Sequence, residues 1–116
     1  MGSIPPAGTI RFSVLSMKLE QIAQVVRSKN AGPRCLTLDV MFAAEADFER
    51  VVRSGTLTRE TISRLYEVPI QTISILEYPL ARAIKIVIPR KITSGDPGDR
   101  DVYGAQQHAP LLNIEI

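Results

Sequence analysis

The stretch Cys35-Leu36-Thr37-Leu38-Asp39-Val40-Met41-Phe42 decides the reading of the fold. Leu36, Leu38, Val40 and Phe42 occupy alternate positions, with Thr37, Asp39 and Met41 between them. Successive side chains of an extended chain point to opposite sides, so this spacing gathers the apolar residues on one side of a half-buried strand. The same period returns at 83–89, where Ile84, Ile86 and Ile88 share a side and Lys85 takes the other. A β-branched stretch at 70–78 precedes it, and the link Pro79-Leu80-Ala81-Arg82 suits a hairpin connection.

Outward from these strands the period lengthens. Leu19, Ile22, Ala23 and Val26 mark one face of a helix predicted from Met17 to about Ser28, with Ser16 as N-cap and Glu20 near the positive end of the dipole. Lys29-Asn30-Ala31-Gly32-Pro33 then reads as helix-stop chemistry. A helix over 45–54 buries Phe48, Val51 and Val52 and stops at Ser54-Gly55. Another begins at the N-cap Thr58, with Leu57 and Ile62 as a hydrophobic staple, buries Ile62, Leu65 and Tyr66, and ends before Pro69. Leu111 to Ile116 reads as a last strand. These elements predict an α+β fold, a ferredoxin-like two-layer sandwich with a mixed or antiparallel sheet and helices on one face. Residues 1–16 read as a flexible extension or leader, with a brief alternation at 10–15, and 17–116 as a single α+β domain.

Composition narrows the functional classes. A chain of 116 residues is the size of one ordinary domain, and without tryptophan its core must come mainly from Ile, Val and Leu. The formal charge of +2 is spread among acids, which argues against a nucleic-acid track. The single Cys35 fits a reducing compartment and is expected to be a small buried side chain. No apolar run approaches the ~20 residues needed to span a bilayer, and no secretory signal is legible, so the expectation is a cytoplasmic protein without a membrane partner.

Chemistry concentrates between Ser94 and Pro110. Gly95, Gly98 and Gly104 let backbone N–H groups approach a ligand. Ser94, Asp96, Asp99 and Asp101 offer acceptors, and Tyr103, Gln106 and Gln107 offer hydrogen-bonding groups of fixed shape. His108 is the only histidine, and an ordinary pKa of about 6.5 suits proton transfer near neutrality. His108 and Asp99 are therefore the catalytic candidates, and the others are candidates for substrate or anion binding. The competing reading is structural: Ser-Gly-Asp-Pro-Gly-Asp makes a good pair of turns. The acids at 96, 99 and 101 do not follow calcium-loop spacing, a lone histidine does not make a zinc site, and no phosphate-binding or dinucleotide loop is present, so no metal or cofactor is expected. A second candidate is Arg27-Ser28-Lys29-Asn30-Ala31-Gly32-Pro33, where Arg27, Lys29 and Asn30 are placed to bind an anion if this turn lies beside the loop. Arg82 and Arg90 are weaker candidates for the same task.

The segments 27–33 and 94–112 resemble an uncharacterised bacterial family, a domain of unknown function encoded beside, or fused to, proteins similar to acyclic terpene utilisation protein A. The resemblance covers Met17 to Ile116. It implies partnership with such a larger protein in the breakdown of branched acids or their CoA thioesters. The Ser-Gly-Asp-x-Gly-Asp stretch also resembles one in the ferredoxin-like C-terminal domain of those larger proteins. The expected function is thus a small accessory subunit of a hydratase-, lyase- or isomerase-like complex, in a homo- or hetero-oligomer. The alternatives are a self-sufficient small enzyme using His108, and a structural oligomerisation domain.

Overall fold

A computed structural model describes residues 17–90, 95, 97 and 107–116. Within them a one-turn helix α1 (Leu19–Ile22) leads into β1 (Val25–Asn30) and β2 (Cys35–Met41). Helices α2 (Glu45–Ser54) and α3 (Arg59–Tyr66) follow, then β3 (Ser74–Tyr78) and β4 (Ala83–Pro89). The strands form one antiparallel sheet in the order β1-β2-β4-β3.

Alternation in β2 and β4 works as the sequence requires. Leu36, Leu38 and Val40 stand opposite Ile88, Ile86 and Ile84, and all six are at most 3% exposed. Opposed residues of a strand pair point to the same side, so these side chains form one apolar face. Phe48 and Val51 of α2 and Ile62 of α3 join the same buried cluster, which puts the helices over that face. Phe42 and Phe48 meet edge to face, with ring centroids 6.1 Å apart. The result is a small α+β two-layer arrangement of antiparallel sheet and helices, in keeping with the expected sandwich.

Local signals set the helix ends. Gly55 closes α2 at φ 66°, a conformation glycine adopts without steric cost. Thr58 caps α3 by accepting from the Thr61 N–H at 3.2 Å, and Leu57 packs against the core cluster that includes the fully buried Ile62. The hairpin between β3 and β4 turns through a 3-10 segment, Pro79–Ala81.

The expected helix over 17–28 is corrected. Only Leu19–Ile22 is helical; Ala23 is already extended, and Val25–Asn30 is a strand paired along its length with β2. The apolar set at 19, 22, 23 and 26 straddles the boundary between two elements. The β-branched Val25 and Val26 favour the extended state, and six cross-strand pairs settle it. Ala31 to Arg34 is therefore a strand-to-strand turn, with Gly32 at φ 98°.

Three smaller expectations also change. Cys35 is exposed, because it opens β2 on the face turned away from the helices. The run at 70–78 begins with a 3-10 turn, Ile70–Thr72, before β3. Residues 111–116 form no full strand: Ala109–Asn113 is a 3-10 segment, followed by a single bridge between Lys18 and Glu115. Pro110 favours the tight turn, and the three-residue spacing of Leu111 and Ile114 buries both. Backbone bonds from Leu19 N–H to Ile114 and from Ile116 N–H to Met17, each 2.8 Å, tie the C-terminal segment to the residues around α1. The extension 1–16 and the alternation at 10–15 lie outside the described residues.

Candidate functional site

Register decides which side chains of β1 can meet the polar loop. Val26, Ser28 and Asn30 stand opposite Val40, Leu38 and Leu36, on the face that carries the helices. Arg27 and Lys29 stand opposite Asp39 and Thr37, on the other face. The alternation that a helix would not impose thus separates residues adjacent in sequence.

Ser28 is a hydroxyl on an apolar face and is 6% exposed. Its Oγ accepts from the backbone N–H of Gln107 at 2.9 Å. The carbonyl of the same Gln107 accepts from the Tyr66 hydroxyl, at the end of α3, at 2.8 Å. Both backbone polar groups of Gln107 are thereby held, one by the sheet and one by the helix layer. Burial pushes the Tyr66 phenol well above its ordinary range, so it remains a hydrogen-bond donor at any physiological pH.

His108 follows directly. The residue keeps part of its surface in solvent, but Nδ1 is buried and has no hydrogen-bond partner among the described residues. Buried polar side-chain atoms are nearly always satisfied, so an orphan of this kind asks for a physical reason. The two bonds on Gln107 fix the backbone immediately before His108.

Arg90, just past β4, donates from Nη1 to Asn30 Oδ1 at 2.8 Å, and its N–H donates to the Arg34 carbonyl at 2.8 Å. This links the ends of β1 and β4 where the chain departs into the polar loop. Gly95, at φ 86°, and Pro97 lie in exposed turns of that loop. Ser94, Asp96, Gly98, Asp99, Asp101, Tyr103 and Gln106 lie outside the described residues.

Among the sequence candidates, then, Asn30, Gln107 and His108 lie at or beside the helix-bearing face. Arg27 and Lys29 do not. The Arg27 Nε donates to Asp39 Oδ2 at 3.2 Å on the opposite face, and the Lys29 carbonyl accepts from Thr37 Oγ1 at 3.3 Å. The expected clamp of Arg27 and Lys29 presumed a helix end at 27–33, which is instead a strand and its turn, and the loop residues it would work with at 94, 96 and 98–106 lie outside the described residues. Thr37 and Asp39, expected on the more open side, are only 6% and 7% exposed. They sit in a central strand, where flanking side chains such as Arg27 lie over them.

Sequence reasoning missed Ser28 and Tyr66 as positioning groups. The signal for Ser28 is a hydroxyl in the apolar phase of a strand, legible only once 25–30 is known to be extended. The signal for Tyr66 is general: a tyrosine at a core position needs a partner for its hydroxyl. A concavity of about 490 Å³ lined by Arg50, Arg53, Ser54 and Ile116 contains none of these residues.

An antiparallel sheet layered with helices, with Gln107 bonded to both layers, defines a small α+β domain. The chain belongs to the family described as Domain of unknown function (DUF4387), which matches residues 19–115. No curated protein and no solved structure matches the chain. Among the described residues, no helix is long and apolar enough to cross a membrane.

Proposed function

We propose that this chain is a small accessory subunit whose 94–108 loop contributes one wall of an anion-binding site that a larger protein completes. The observation that carries the reading is His108: it follows Gln107, whose backbone N–H and carbonyl are both held, and its buried Nδ1 has no partner among the described residues. A group positioned at a cost to stability is characteristic of sites that act on something outside the chain. Asn30 and Arg90, joined at the mouth of the loop, add polar chemistry beside it.

The substrate class comes from the resemblance of 27–33 and 94–112 to proteins associated with acyclic terpene utilisation. It is a branched organic acid or its CoA thioester, handled by a hydratase-, lyase- or isomerase-like complex in the cytoplasm. In that setting His108 orients the substrate or moves a proton, with Asp99 as a second candidate acid or base. Ser94, Gly95, Asp96, Gly98, Asp101, Tyr103, Gln106 and Gln107 supply the polar wall. No metal or cofactor belongs to this proposal.

The test is co-expression with a protein similar to acyclic terpene utilisation protein A, followed by assay of the complex on branched acyl-CoA thioesters. The expected result is turnover by the complex and not by the isolated chain, with a loss of roughly 100-fold or more for His108→Ala, the scale of general acid–base assistance. Turnover by the isolated chain that His108→Ala abolishes would instead support a self-sufficient enzyme. Unchanged turnover of the complex on both His108→Ala and Asp99→Ala would leave the loop a structural role.

A further inference from the structure

We draw no further inference here: the strongest candidate, the sheet face turned away from the helices, where Val25, Leu76 and Tyr78 are exposed beside Arg27, Lys29 and Lys85, carries nothing because nothing in the structure shows what covers it.

Discussion

The Tyr66 hydroxyl donates to the Gln107 carbonyl at 2.8 Å, a bond between residues 41 apart in sequence that fastens the returning end of the polar loop to α3. Since burial holds the phenol neutral, its removal has two separable consequences. Tyr66→Phe leaves the carbonyl of Gln107 short of a partner and is expected to lower stability by about 1 kcal/mol, the net value of one hydrogen bond. Chemical denaturation at neutral pH measures it.

The same residue predicts an alkaline limit. The folded-state pKa of Tyr66 is raised above the unfolded value of about 10. The folded protein therefore binds more protons than the unfolded chain above that pH, and stability falls as pH rises. The contribution is fully present below about pH 10 and is lost progressively above it. In Tyr66→Phe this component of the alkaline decline is expected to vanish, which melting temperatures collected between neutrality and pH ~11 will show.

Ser28→Ala is expected to cost about 1–3 kcal/mol, because it takes the acceptor from a part-buried N–H of Gln107. Ser28 and Tyr66 act on the same residue, so their losses should not add. A double-mutant cycle with Tyr66→Phe is expected to give a coupling of at least ~0.5 kcal/mol. A coupling of zero would mean that the two bonds hold Gln107 independently.

His108 should behave in the opposite sense. Its Nδ1 is buried without a partner among the described residues, which leaves a desolvation cost that they do not offset. His108→Leu is expected to leave the melting temperature unchanged or raise it, while the activity of the complex falls. A drop in melting temperature comparable to that of Ser28→Ala would show that the ring contributes packing that outweighs this cost.

Arg27→Ala separates the two faces of the sheet. Arg27 pairs with an Asp39 side chain that is only 10% exposed, so its removal strands a mostly buried carboxylate. The expected loss is on the order of 1 kcal/mol, moderated because the Arg27 side chain is more than half exposed to screening. Restoration by the additional change Asp39→Asn, read by denaturation, checks the cause. On the proposed function, turnover should be unaffected, since Arg27 lies on the face opposite Ser28 and Asn30.

The parts of the fold legible in sequence are those where one period runs uninterrupted within one element. Leu36 to Phe42 and Ile84 to Ile88 were readable as strands, and the caps Thr58 and Gly55 marked helix ends because their chemistry is local. The failure at 17–28 has a specific cause. Leu19 and Ile22 belong to a helix and Val26 to a strand, yet their spacing satisfies a single helical period. Only the pairing of β1 with β2, a non-local fact, separates them. The same helical period puts Arg27 and Lys29 at a helix end and hides the place of Ser28 on the apolar side of a strand. His108 and Gln107 were legible as residue types, but what holds them comes from residues 41 and 79 positions away in the chain.

The central claim is that His108 belongs to a site completed from outside the chain. Because the sequence holds a single histidine, ¹⁵N labelling of histidine reports on His108 alone. The decisive measurement is the Nδ1 resonance of the labelled chain before and after addition of the larger protein and a branched acyl-CoA. A shift to the position of a hydrogen-bonded nitrogen, reversed when the larger protein is removed, is the predicted result. A complex that forms and turns over substrate with the Nδ1 resonance unmoved would contradict the account.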